Sequence, residues 1–432
     1  MKKIVAILFA VILLANKGNI SAQNLSSTEL KITKSIDANM DYTLDLLKNS
    51  VNINSGTFNI KGVQKVGEMY SAELKALGFE VEWVAAPAEM KRAGHLVATK
   101  KGTKGKKLFL IGHLDTVFEP DMPPNPYRLL NDSTATGQGV NDMKGGNVLV
   151  IAALKGLHES GLLDDVSITI YFTGDEENAG YPRSESRGDF IKRAKNADIA
   201  LAFETAAGLN TVATARRGAS GWKLEVEAKQ GHSSGVFGTY AGFGAIYEAS
   251  RIINEFREKL SKEQYLTFNP GLFIGGSEVN YDDANQKGDA SGKTNIISPK
   301  TVVIGDLRFL SEQQKENARN TMRKIVSESL PGTKSIISFS DGIPSMPPSK
   351  GNEALVTNVN NVSLALGMGP VKAGNPGSRG AGDISYVAEY VDCLDGLGCS
   401  GSGAHAPGET INLKQYPWLI KRAALLLYKL TR

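Results

Sequence analysis

The apolar run Leu108-Phe109-Leu110-Ile111 has the length and composition of a buried strand and stops at Gly112-His113-Leu114-Asp115-Thr116-Val117. Strands of similar character are expected over residues 79–84, around His95-Leu96-Val97-Ala98, over 166–173 and over 199–203. Between them the apolar positions recur with helical spacing. Ile36, Met40, Leu44 and Leu47 share a face over residues 35–48, Val63, Val66, Tyr70, Leu74 and Leu77 share another before Gly78, and Val148, Ile151, Ala152 and Leu154 share a third over 147–159. This alternation predicts an α/β unit with helices around a mixed sheet. Near Arg216 the pattern changes. Strands over 222–228, 272–279, 301–309 and 334–339 and helices over 240–260 and 312–330 follow in the order βαββαβ. That order predicts a ferredoxin-like insertion of two helices on a four-stranded antiparallel sheet. The α/β pattern resumes after the proline-rich return linker Pro344-Ser345-Met346-Pro347-Pro348 and ends in a helix over 415–430, while 282–293 reads as a polar loop. The chain is accordingly divided into residues 1–22, 23–215, 216–341 and 342–432.

Composition changes this picture in two places. With 432 residues and 41% hydrophobic content, more than one compact unit is expected. The first segment belongs to none of them. Met1-Lys2-Lys3 is a basic start, residues 4–14 are an apolar stretch too short to span a bilayer comfortably, and Ile20-Ser21-Ala22 ends on a small residue suited to cleavage. A signal peptide removed after Ala22 and a periplasmic or secreted mature chain are expected. Its removal takes Lys2, Lys3 and Lys17 and no acid, so the formal charge of +4 falls nearly to neutral. Nothing then argues for a nucleic-acid partner or a membrane surface. Cys393 and Cys399 are the only cysteines, and either a small-loop disulfide or two free thiols suits their spacing.

Candidate chemistry gathers where strands stop, which is where open α/β sheets bind ligands. His113 follows the site strand, and Asp115 has the residue type to accept the other imidazole N–H and fix its tautomer. Asp142 lies in the glycine-bounded loop Gly139-Val140-Asn141-Asp142-Met143-Lys144-Gly145-Gly146, where a helix N-cap is the plainer role. Asp175-Glu176-Glu177 places three acids at one strand end. Such a cluster in an apolar setting is tolerated mainly beside cations. Glu204 ends the next strand, and His405 sits in Ala404-His405-Ala406-Pro407-Gly408-Glu409. Two imidazoles and three carboxylates of this kind suit a pair of zinc ions.

This ordered set resembles the dinuclear-zinc exopeptidases and amidohydrolases that include bacterial glutamate carboxypeptidase, peptidase T, aminoacylase and succinyl-diaminopimelate desuccinylase. The resemblance covers nearly all of the mature chain. It implies that Asp142 bridges two Zn2+, with His113 and Glu204 completing one site and Glu177 and His405 the other. It further implies that Asp115 orients His113, that Glu176 is the general base, and that the Asp142–Met143 peptide is cis. In the inserted domain, His232 of Gln230-Gly231-His232-Ser233-Ser234 matches a histidine that helps hold the oxyanion, contributed across a homodimer. Asn295 and Arg308 match substrate-contacting positions, although Arg308 also reads as a solvated charge or structural ion pair. Gly380 and Gly382 match a glycine-rich loop that lets backbone approach the substrate carboxylate. Ile343 stands before Pro344 where glutamate carboxypeptidase has arginine, so specificity for a C-terminal glutamate is not implied. The expected substrate is a small peptide or an N-acyl amino acid cleaved in a carboxypeptidase-like manner. An aminopeptidase or dipeptidase and a catalytically silent peptide-binding protein on the same fold are the alternatives. The base beside the ligands argues against the silent form.

Overall fold

Successive side chains of the strand Lys104–His113 point to opposite faces of its sheet, and here both faces are covered. Leu108 and Leu110 pack into one core with residues of the helices Ser27–Ala38, Met40–Val51, Ile60–Ala76, Lys144–Glu159 and Tyr416–Leu430. Phe109 and Ile111 pack into a second core with Phe190, Ala194, Ile384 and Val387. Burial on both sides is why the strand reads as an unbroken apolar run rather than an alternating one. The structure, a computed structural model, describes residues 25–432. The signal-peptide reading of residues 1–22 lies outside the described residues. Among the described residues no helix is long and apolar enough to cross a membrane.

The central sheet has six strands in the order Glu80–Val84, His95–Lys100, Val166–Thr173, Lys104–His113, Ile199–Ala202 and Asp392–Leu394. The last four run parallel, so their carboxyl ends open on one edge. In register, His113 lies opposite Thr173 and Ile111 opposite Ala202. This brings the loops after three separate strands to one level.

The helical pattern expected over 35–48 is two helices, Ser27–Ala38 and Met40–Val51, broken at Asn39. The Asn39 side chain donates to the Ser35 carbonyl at 2.9 Å and to Glu159 at 2.7 Å, which holds the break against the neighbouring helix. A helix over Lys350–Ala365, capped by the Ser349 hydroxyl on the Asn352 N–H, was not expected from the sequence. Its polar positions obscure the buried stripe of Leu355, Val359 and Val362.

Between the two halves of the α/β unit lies an antiparallel sheet in the order Thr267–Gly276, Lys300–Phe309, Gly218–Ala228 and Thr333–Asp341. It has its own core, in which Trp222, Leu224 and Val226 meet Ile252 and Phe256 of the helix Ala245–Leu260 and Met322 of the helix Glu312–Ser327. That first helix starts later than its apolar spacing suggests, because Gly242 and Gly244 take φ of 72° and 80° ahead of it. Residues 282–293 are not a plain loop. The strands Glu278–Asp282 and Lys287–Ser291 pair as a hairpin there. Cys393 and Cys399 are both buried free thiols, which decides between the two readings of the pair.

Candidate metal centre

His113 ends the strand Lys104–His113 and is buried, with 1% of its surface exposed. Its Nδ1 lies 3.0 Å from the Asp115 backbone carbonyl and 3.5 Å from the Asp115 carboxylate. The nearer acceptor for the imidazole N–H is thus the carbonyl rather than the expected side chain. This leaves Nε2 facing Asp142 at 3.3 Å and Glu204 at 3.7 Å. The Asp115 carboxylate has other partners. It accepts the N–H groups of Glu176 and Glu177 at 3.0 and 3.1 Å and the Thr57 hydroxyl at 2.6 Å, and so fixes the loop that carries both glutamates.

Asp142 is not the cap of the following helix, since the cap position falls on Met143. Its carboxylate instead turns to His113 on one side and to His405 Nε2, at 3.1 Å, on the other. The Asp142–Met143 peptide is cis. Asn147 of the same helix donates to the His113 carbonyl at 2.6 Å. Gly112 makes room for that contact, because a Cβ there would stand 2.1 Å from the Asn147 side-chain oxygen.

His405 arrives from another part of the fold. The strands Gly401–Ser402 and Thr410–Asn412 form a hairpin whose loop carries it at φ 65°, a left-handed conformation that costs a non-glycine residue about 1–3 kcal/mol. Its Nε2 lies 3.2 Å from Glu177 Oε2. The other Glu177 oxygen is buried without a hydrogen-bond partner. The donors therefore fall into two groups, His113, Asp142 and Glu204, and Asp142, Glu177 and His405, each with its ligand atoms within 4.8 Å of one another. An unpartnered buried carboxylate oxygen amid converging imidazole and carboxylate atoms fits a divalent cation, and Asp142 belongs to both groups.

The electrostatics reflect the crowding. Burial pushes the His113 imidazolium down, but the Asp115 and Asp142 carboxylates outweigh it and hold it well above its ordinary range. Contacts with Asp142 and Glu177 raise His405 to about 11. Burial and the charge of Asp142 push Glu204 up to about 7. Glu176 belongs to neither group of ligands; burial and the nearby Glu204, Asp383 and Glu177 carboxylates hold its carboxyl well above the usual range, against the pull of His113.

Residues 109–429 match the sequence profile of Peptidase family M20/M25/M40. The chain belongs to this family. This M20 peptidase is 28% identical over 389 residues to carboxypeptidase G2 of Pseudomonas sp. (strain RS-16), spanning 89% of this chain and 88% of that protein. It is 25% identical over 306 residues to succinyl-diaminopimelate desuccinylase of Cupriavidus pinatubonensis (strain JMP 134 / LMG 1197), spanning 67% of this chain and 74% of that one. The aminopeptidase PepT structure from Bacillus cereus ATCC 10987 shares the fold with a TM-score of 0.72 at 17% identity, covering 91% of this chain and 99% of PepT. The M20 peptidase is accordingly a metal-dependent hydrolase acting on amide bonds.

The remaining expected residues belong to neither ligand group. His232 is exposed on the second unit, with its Nδ1 on the Ser234 hydroxyl at 2.8 Å. The strand Ile296–Ile297 pairs with Gly231–His232 and sets Asn295 beside the same histidine loop, where its carbonyl accepts the Ser233 N–H. Arg308 forms an ion pair with Asp306 at 2.9 Å. The Gly380 carbonyl accepts Arg216 Nε at 2.7 Å, while a Cβ on Gly382 would stand 2.4 Å from the Arg216 guanidinium. Gly382 thus makes room for a side chain of the M20 peptidase itself.

Sequence reasoning missed the buried charges behind the site. Arg187 joins Asp175 at 2.6 Å and Asp383 at 2.8 Å, and Arg216 joins Asp395 at 2.7 Å. Glu409 accepts three backbone N–H groups of the Asp142 loop. Glu409 stood in the fragment that carries His405 and Asp175 in the acidic run, but nothing local marks Arg187, whose second partner is 196 residues away.

Proposed function

We propose that this M20 peptidase is an exported zinc hydrolase that cleaves small peptides or N-acyl amino acids in a carboxypeptidase-like manner. The observation that carries the reading is the pair of ligand groups sharing Asp142 with Glu176 beside them and outside both. His113, Asp142 and Glu204 would hold one Zn2+ and Asp142, Glu177 and His405 the other, a donor set of imidazole and carboxylate that suits zinc. A zinc pair supplies Lewis acidity, which acidifies a water and polarises a scissile carbonyl. Glu176 takes a proton from the attacking water and returns it to the leaving amine. Asp115, by binding the Glu176 and Glu177 N–H groups, holds the base in place. Asn295, Arg308 and the Gly380–Gly382 loop would receive the substrate's carboxylate end. Similarity to a carboxypeptidase and a desuccinylase supports substrates with a carboxylate next to the scissile amide. Assay of the zinc-loaded protein against dipeptides and N-acyl amino acids tests this. Turnover is expected on substrates with a free C-terminal carboxylate and is expected to vanish when that carboxylate is amidated; equal turnover of the amides would overturn the carboxypeptidase-like reading.

His232 enters this reading as a residue given to the partner's site in a homodimer. Its exposure on the inserted sheet's domain, where its Nδ1 meets only the Ser234 hydroxyl and backbone, supports that role. A complementation experiment reads it out. When equal amounts of Glu176→Ala and His232→Ala chains reassociate at random, half the two-fold dimers are mixed and each mixed dimer keeps one intact site, so roughly a quarter of wild-type activity is expected. A histidine serving its own chain would give no recovery.

A further inference from the structure

We propose that Glu409 is the positioning residue that sets the shared ligand Asp142 for both ligand groups at once, an inference resting on the two-zinc reading above. Three backbone N–H groups converge on its fully buried carboxylate: Gly139 on one oxygen at 3.1 Å, and Asn141 and Asp142 on the other, each at 2.7 Å. The third donor is the amide of the ligand itself. Glu409 is in turn fixed by its own backbone, whose carbonyl accepts the buried Thr136 hydroxyl at 2.6 Å and whose N–H reaches the Ala406 carbonyl at 3.0 Å. It therefore ties the His405 hairpin to a loop 267 residues earlier in the chain.

The consequence follows from how Asp142 is shared. One of its oxygens faces His113 and the other His405, so a tilt of its backbone displaces both together. Losing Glu204 or His405 removes a ligand from one group only. Losing the Glu409 carboxylate disturbs the one ligand common to both. Glutamine is not a neutral replacement here, because its amide nitrogen would point a donor at a backbone donor.

The test is a titration of the metal-stripped full-length chain with Zn2+ against a fluorescent chelator. Wild-type protein is expected to show two sites. Glu409→Gln is expected to weaken both by about 10- to 100-fold, whereas His405→Ala weakens one. Thr136→Val, which loses a hydrogen bond to the same hairpin without touching the carboxylate, is expected to lower the melting temperature and keep both affinities. Should Glu409→Gln fail to fold, Glu409→Asp, too short to reach all three donors, is titrated in its place and is expected to weaken both sites. Unchanged zinc affinities in the folded variant, or weakening of a single site, would overturn the proposal. A wild-type chain that binds fewer than two zinc ions would overturn the two-zinc reading instead.

Discussion

Replacing Glu176 with alanine is expected to leave both ligand groups loaded with metal while kcat falls by about 10²–10⁴-fold. The separation follows from position. Glu176 belongs to neither ligand group, yet it is the residue before Glu177 and its amide is held by Asp115. In the proposed reaction, removing its carboxylate takes away the proton acceptor without taking away a ligand. His113→Ala is expected to behave otherwise, since its Nε2 faces both Asp142 and Glu204, and metal and activity should be lost together. Metal content and turnover measured on the same preparations separate the two cases. Wild-type turnover in a fully loaded Glu176→Ala enzyme would remove Glu176 from the reaction.

Arg187→Met is expected to cost about 3–5 kcal/mol of stability, the range found when one partner of a buried ion pair is removed. Arg187 is fully buried and bonds two carboxylates, Asp175 at 2.6 Å and Asp383 at 2.8 Å, and its remaining nitrogen reaches the Asp175 carbonyl. Methionine fills much of the same volume but leaves both acids without their cation. These acids belong to the structure around the reaction. Asp175 precedes Glu176 and accepts the Gly180 N–H, and Asp383 accepts the Thr173 hydroxyl at the end of a central strand. Equilibrium urea unfolding measures the loss. The triple variant Arg187→Met, Asp175→Asn, Asp383→Asn is expected to recover part of it, because no unpaired charge then remains buried. If the triple variant is less stable than the single one, charge pairing is not what Arg187 contributes.

How much could be read in advance depended on how far apart the interacting residues lie in the chain. The buried strand ending at His113 was legible because burial on both faces leaves an unbroken apolar run that needs no knowledge of its neighbours. Asp175 to Glu177 and Glu204 were legible as candidates for the same reason, each following a recognisable strand. The break at Asn39 was not, because the helical spacing continues through it and a contact from Glu159 holds it. The hairpin over residues 278–291 was hidden by a polar composition that carries little alternation.

The sequence by itself determined the α/β class, the change of pattern after Arg216 and the residue types able to bind metal, since periodicity and chemical type are local properties. Tertiary structure alone decided how those types meet. It turned Asp142 from a possible helix cap into the carboxylate shared between two histidines, gave the Asp115 carboxylate to the Glu176–Glu177 loop, and left the two cysteines unpaired. It also supplied the partners of Arg187 and Glu409, to which the sequence reading assigns no role. A charged group is stable in the interior only when distant segments bring it a counter-charge or backbone donors, and no local pattern records which segments those are.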